Sequence, residues 1–312
     1  MHSEYYKGIE QANEEGNITW LNKGENNDGP TDFHSHFPDK KYTYEGNQED
    51  GMLLISNTRP LEKGAKDLFS AILKTSQGSE IKAVEIGPGA GNALLEMRNL
   101  AESNGSNIEL NSISITPTNP YLGLKMSAPE IRETINDQVN ILIDEEYPKI
   151  NPDVVLNTAK NVRDQIIETR DKPFIDQQYI GYFPENFNND QDIWGKYDFV
   201  YMNRSVFNAD EPPMKETCEL LNPNGIVFIA PKFVDFRTSP RWEEWKKIIS
   251  DNNCTICFSD DEDESPRDFL LIIKNDSKIG KNILEELAHA GRVNGASSTI
   301  NIEILEKALK KM

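Results

Sequence analysis

The sequence predicts an α/β protein: a doubly wound, mostly parallel seven-stranded sheet with an antiparallel C-terminal hairpin, plus an N-terminal extension and a helical insert. Three observations predict it. From about residue 57, strand-like apolar runs alternate with helical ones, the pattern of a parallel sheet covered on both faces. One such run leads through a glycine-rich turn, "VEIGPGAGN" (Val84 to Asn92), into a helix. The last two runs, "CTICFS" and "DFLLIIKN", are joined by "DDEDESPR", too short for a crossover helix, so they pair as an antiparallel hairpin.

The elements follow in order. Residues 1–56 are polar and turn-rich ("NKGENNDGPTD", "YEGNQEDG") and read as an extension without clear periodicity. "RPLEKGAKDLFSAILKTSQG" is a helix: Pro60 suits the first turn, Leu61, Ala65, Leu68, Phe69, Ile72 and Leu73 share a face, and Gly78 stops it. "IKAVEIG" is the first strand, "NALLEMRNLAES" a helix and "IELNSISIT" the second strand. Residues 118–172 form the helical insert. "QQYIGYF", "KYDFVYMNRSVF" and "IVFIAPKF" are strands three to five, with "EPPMKETCELLNPNG" as helix and turn before the fifth. "SPRWEEWKKIISDNN" is a helix in which Ser239 caps, Pro240 opens, and Trp242, Trp245, Ile248 and Ile249 form the stripe. The main domain thus spans 57–275, and 276–312 adds two helices, around "IGKNILEELAHA" and "TINIEILEKALKK", whose stripe (Ile302, Leu305, Leu309) docks on the domain.

Composition narrows the function classes. Fifty-two acids against 33 bases give a formal charge of -19, a surface that repels phosphate backbones and disfavours nucleic acid as substrate. No run approaches the ~18 to 20 apolar residues of a membrane helix, and "MHSEYYKGIEQ" has no basic segment followed by an apolar core, so the expectation is a cytoplasmic-type protein. Three cysteines suit a reducing compartment. Cys254 and Cys257 form a CxxC, yet i and i+3 of a strand point to opposite faces, so the pair is read as structural.

Glycines after a strand permit positive φ and close backbone approach, and the following helix offers free N–H groups. The dinucleotide fingerprint G-x-G-x-x-G fails here, because Asn92 stands where its third glycine belongs. Apolar–acid–apolar–Gly-x-Gly-x-Gly instead resembles the first motif of class I S-adenosylmethionine-dependent methyltransferases, with Glu85 as the acid and Gly87, Gly89 and Gly91 as the loop. "LLNPNGIVFIA" is similar to the family's turn before strand five, with Asn224 at a position where glycine is common, and "YDFVYMN" to its strand-four motif. The resemblance covers about residues 57–275 and implies S-adenosylmethionine as cofactor.

Two positions depart from the family pattern. Ser114 takes the place of the strand-two acid that binds both ribose hydroxyls, exchanging a charge-assisted bond of roughly 1.5–3 kcal/mol for a neutral one of about 1. Asn119 or Thr116 offers a substitute. After strand three, Tyr182 takes the position of an acid that addresses the adenine amino group, and Phe183 is placed to stack on adenine.

Methyl transfer is an in-line displacement, so positioning and desolvation dominate and a base is needed only when the nucleophile must lose a proton. The resemblance places Asn203 and Arg204, at the end of strand four, toward the transferred methyl: Asn203 to orient an acceptor and to touch the cofactor, Arg204 to bind an acidic one. His34 and His36 in "DFHSHF" lack a third ligand nearby and read as loop residues, so no metal is expected; one is a candidate base if the extension covers the site. The five acids Asp260 to Glu264 read as a solvated hairpin loop. The expected activity is methyl transfer to a small molecule, with a protein acceptor second. A cofactor-free binding or scaffold protein is the alternative, and a nucleotide-dependent enzyme a further rival.

Overall fold

A computed structural model describes residues 2–21, 61–76, 78–88, 91–114, 117–118, 120–121, 173–187, 192–203, 212–230, 236–259 and 269–311. In chain order the elements are α1 (His2–Glu14), β1 (Ile18–Trp20), α2 (Lys63–Thr75), β2 (Ile81–Ile86), α3 (Asn92–Ser103), β3 (Ile108–Ser114), β4 (Gln177–Ile180) and β5 (Tyr197–Asn203). They continue with α4 (Met214–Leu220), β6 (Leu221–Ala230), α5 (Trp242–Asp251), β7 (Cys254–Ser259), β8 (Leu270–Lys274), α6 (Lys278–His289), β9 (Val293–Asn294), β10 (Ser297–Ile300) and α7 (Ile302–Lys310). The fold is α/β and mostly parallel, with an antiparallel β7–β8 pair.

The chain divides into two compact units. The first comprises residues 1–61, 88–98 and 110–182. Its strands run β1-β4-β3, all parallel, with Ile18 opposite Gln178 and Ser114 opposite Ile180. Ile9 and Ala12 of α1 and Ile18 of β1 form a cluster with Tyr121 and Ile180, and Trp20 packs against it. The Trp20 indole N–H donates to Asn13 Oδ1 at 2.9 Å, giving its polar edge the partner that burial demands. Part of the N-terminal extension is therefore a helix and a strand added beside β4.

The second unit comprises residues 62–87, 99–109 and 183–312. Its strands run β2-β5-β6-β8-β7-β10-β9. β2, β5 and β6 are parallel, and β8 lies antiparallel between β6 and β7, as the short 260–268 connection requires. Phe69, Phe199, Tyr201, Phe228 and Phe269 form a chain of ring contacts 5.2–6.4 Å apart, all fully or nearly buried. Gly64 lets α2 approach this chain: a Cβ there would sit 3.3 Å from the Phe228 ring and 3.5 Å from Ile302 of α7. A buried Leu305 on α7 completes the predicted docking of the tail.

The expected mostly parallel sheet with its antiparallel hairpin is present, and among the described residues β1 beside β4 and β10 and β9 beyond β7 extend it to ten strands. Two expectations are corrected. α5 starts at Trp242 with no side-chain cap; Ser239 Oγ instead accepts the Arg241 N–H in the preceding turn at 3.2 Å. The last helix starts at Ile302, where Asn301 Oδ1 accepts the Ile304 N–H at 2.9 Å, so Thr299 and Ile300 remain in β10. Most of the 118–172 insert, His34, His36 and the Asp260 to Glu264 run lie outside the described residues.

Candidate functional site

In the first unit the glycine turn ends at Gly91, whose φ is +76°. Its N–H donates to Pro88 O at 2.8 Å, and its own carbonyl accepts the first helical bond of α3, from Leu95 N at 2.9 Å. A Cβ on Gly91 would lie 2.8 Å from Thr118 Cγ2 and 3.3 Å from the Phe174 ring. Glycine is required there twice over, by conformation and by contact. Both neighbours are themselves fixed. The Thr118 N–H donates to Gln178 Oε1 at 2.7 Å, while buried Arg98 of α3 donates to Phe174 O at 3.2 Å and to Asp176 at 2.5 Å. Asp176 Oδ2 also accepts the Leu110 N–H at 2.7 Å, so one carboxylate ties the entry of β4 to β3.

Ser114 closes β3 half-buried, and its carbonyl accepts the Gly181 N–H at 2.8 Å. Tyr182 follows and is 56% exposed, a large aromatic left at a strand end. Ser114 and Tyr182 thus come together at adjacent strand ends of this unit.

In the second unit Glu85 is buried near the end of β2, opposite Tyr201 of β5. The next pair is Ile86 with Met202, and one step further stand Gly87, with φ of +71°, and Asn203. The two-residue strand period puts Glu85, Tyr201 and Asn203 on one face of the strands. That face looks toward the start of α2, where Tyr201 Oη is 3.5 Å from Glu62 N. Asn203 is 8% exposed, and its Oδ1 has no hydrogen-bond partner among the described residues.

Phe183 is 5% exposed, set edge-on to Phe187 at 5.5 Å and tilted against Trp194 at 6.4 Å. It is a packing residue of this unit. Gly89 and Arg204, together with Thr116 and Asn119, lie outside the described residues.

Asp198 of the "YDFVYMN" motif was not singled out from the sequence, and it has a clear task. Its carboxylate accepts the Lys82 N–H at 2.9 Å and the Asn222 amide at 2.8 Å, at a register shift between β5 and β6. Asn222 Oδ1 in turn accepts the Asn224 N–H at 2.8 Å. A Cβ on Gly225 would lie 2.5 Å from Tyr197 O, so the turn before β6 is shaped by Asn222 and Gly225 and tolerates Asn at 224. The signal for Asp198 was its place beside an aromatic at the start of an apolar strand.

No family model matches the chain, and no curated protein does. Similar solved structures include the citrinin polyketide synthase CMeT domain, 12% identical over 65% of this chain and 48% of that one, with a TM-score of 0.35. MNMC2 from Aquifex aeolicus is 14% identical over 79% of this chain and 74% of that one, with a TM-score of 0.35. Geranyl diphosphate C-methyltransferase from Streptomyces coelicolor A3(2), solved with Mg2+, geranyl diphosphate and S-adenosyl-L-homocysteine, is 10% identical over 79% and 75%, with a TM-score of 0.29. The chain thus spans about half the length (48%) of the first of these. The strand order and the antiparallel C-terminal pair are those of an α/β sheet, mostly parallel and ending in an antiparallel hairpin. No helix among the described residues is long and apolar enough to cross a membrane, and no group of three or more metal-ligating side chains occurs among them.

Proposed function

We propose that this chain transfers a methyl group from S-adenosylmethionine to a small-molecule acceptor. The observation that carries the proposal is Asn203 Oδ1, a buried acceptor without a donor among the described residues, one step past the β2–β5 register beside Gly87. An unsatisfied buried acceptor costs about 1–3 kcal/mol, and a ligand carrying N–H donors removes that cost. The carboxyl of Glu85 on the same face adds a preference for a cationic ligand. An α-amino acid end bearing an ammonium, attached to a sulfonium, meets both requirements.

The cofactor, when bound, supplies the electrophilic sulfonium methyl. The chain's own residues bind and orient. Gly87 gives the backbone its turn away from β2, Glu85 and Asn203 hold the amino-acid end, and Asn203 fixes the direction from which an acceptor approaches. For the ribose and adenine the proposal keeps Ser114 and Tyr182. It assigns adenine stacking to exposed Tyr182 in place of Phe183, whose ring is committed to Phe187 and Trp194. Arg204 stays proposed for an acidic acceptor and Gly89 for the loop. The surplus of acids favours a small acceptor over a polyanion.

Thermal unfolding with S-adenosylmethionine or S-adenosylhomocysteine tests this. Ligand at a hundred times Kd raises stability by about 2.7 kcal/mol, a shift of several degrees. Asn203→Leu is expected to leave the melting temperature of the ligand-free chain unchanged or higher, while cutting cofactor affinity at least ten-fold. No shift at millimolar cofactor would favour the binding or scaffold reading, and a shift with NAD or ATP a nucleotide-dependent enzyme.

A further inference from the structure

The parallel strands of the first unit carry a buried amide at the centre of one face. Gln178 of β4 stands opposite Ile18 of β1 and Ser112 of β3, and it is fully buried. Ile18 and Ile180 on that face cluster with Tyr121, so the chain that follows β3 folds back over it. Gln178 Oε1 meets this returning chain and accepts the Thr118 N–H at 2.7 Å. Thr118, itself buried, sets its Cγ2 methyl against Gly91, where an added Cβ would lie 2.8 Å away. Phe174 is the second wall of Gly91, and its carbonyl accepts the Arg98 guanidinium at 3.2 Å. Stability alone does not account for the buried amide. Its Nε2 and the Ser112 Oγ have no hydrogen-bond partner among the described residues, and a half-satisfied buried polar group contributes little net stabilisation. What Gln178 supplies is an acceptor at a fixed place on the sheet, and that place sets the height of Thr118 above it.

We infer that Gln178 is a positioning residue for the glycine turn: through the Thr118 N–H it holds the Thr118 methyl on Gly91 and thereby fixes the turn's conformation. Glycine restricts its own backbone less than any other residue, so a single conformation at Gly91 has to be imposed by its neighbours. That conformation has φ of +76°, with the Gly91 N–H on Pro88 O at 2.8 Å and the Gly91 carbonyl on the Leu95 N–H at 2.9 Å. Without the Gln178 acceptor, the buried Thr118 N–H has to move to find another partner, the methyl leaves Gly91, and the turn gains the states that glycine allows. The consequence for binding rests on the methyltransferase reading above. A loosened turn must be ordered when the cofactor arrives, and affinity falls by that cost.

Two measurements on the native full-length chain test this: amide hydrogen exchange at Gly91 and Leu95, and the Kd for S-adenosylhomocysteine by calorimetry. Gln178→Leu is expected to speed exchange at both amides at least roughly five-fold and to weaken binding by a similar factor. Gln178→Glu, which keeps an acceptor for the Thr118 N–H, should stay within about two-fold of wild type in both. Asn13→Ala removes the acceptor of the Trp20 indole N–H in the same unit, away from the turn, and so controls for a general loss of stability. It should lower the melting temperature while leaving exchange at Gly91 and Leu95 unchanged. Unchanged exchange in Gln178→Leu, or faster exchange in Asn13→Ala to the same degree, overturns the inference. If wild type has no affinity for S-adenosylhomocysteine, the methyltransferase reading fails, and the exchange rates alone decide the role of Gln178. Should Gln178→Leu not fold, Gln178→Met, closer in shape and equally without an acceptor, takes its place with the same expectations.

Discussion

The strands of the first unit bury amides and hydroxyls, whereas those of the second bury rings and branched aliphatics. Asn111, Ser112 and Gln178 are at most 1% exposed on β3 and β4. On β5, β6 and β8 the equivalent interior is Phe199, Val200, Tyr201, Met202, Ile226 to Ile229 and Leu270 to Ile273. An apolar strand asks its neighbours only for shape, while a polar one asks each atom for a partner. The first unit meets that demand in part. Gln178 Oε1 takes the Thr118 N–H, but its Nε2 and the Oγ of Ser112, its register partner, have no hydrogen-bond partner among the described residues. Stability should accordingly be concentrated in the second unit.

Phe228→Ala probes the apolar side. The ring stacks on Phe269 at 5.2 Å, lies 6.2 Å from Tyr201, and is 1% exposed, so its loss should cost about 3–5 kcal/mol in urea unfolding. A cost below that of the polar substitutions described next would break the comparison. Gly91→Ala comes second. A non-glycine residue at φ of +76° costs on the order of 1–3 kcal/mol, and the new methyl meets Thr118 Cγ2 at 2.8 Å. Adding Thr118→Ser removes that methyl and should return the steric part of the loss. Gln178→Leu is the mildest: it strands the buried Thr118 N–H but also removes an unpartnered Nε2, for a net cost of about 1 kcal/mol.

The same contrast governs what was legible in the sequence. "YDFVYMN", "GIVFIA" and "LLIIK" announce themselves because burial on both faces demands continuous apolar runs. β1, β9 and β10 are three, two and four residues long, too short to show a period, so their strand character comes from pairing rather than from pattern. The glycine spacing pointed to Gly91, yet the reason for it, a methyl of Thr118 and the ring of Phe174, involves residues distant in sequence. Phe183 and Tyr182 are adjacent aromatics that no pattern separates; only the fold buries one among Phe187 and Trp194 and leaves the other exposed.

One buried charge of the second unit sharpens the comparison further, since it is satisfied. Glu286 of α6 is 3% exposed and receives Lys307 of α7 at 2.6 Å and the ammonium of Lys311, with His289 Nδ1 at 3.9 Å. Lys307 first, then Lys311, hold its carboxyl down to about 2. An unfolded glutamate titrates near ~4.3, so the folded pKa is depressed, and the stability it contributes is present above that value. It is lost as pH falls from there toward about 2, as the folded carboxylate takes up its proton. Wild type should therefore melt higher than Glu286→Gln at pH 6, and the gap should close progressively between about pH 4.3 and the acid end of the scan. A gap that persisted unchanged to pH 2.5 would mean that the carboxyl acts through its shape and neutral hydrogen bonds rather than its charge.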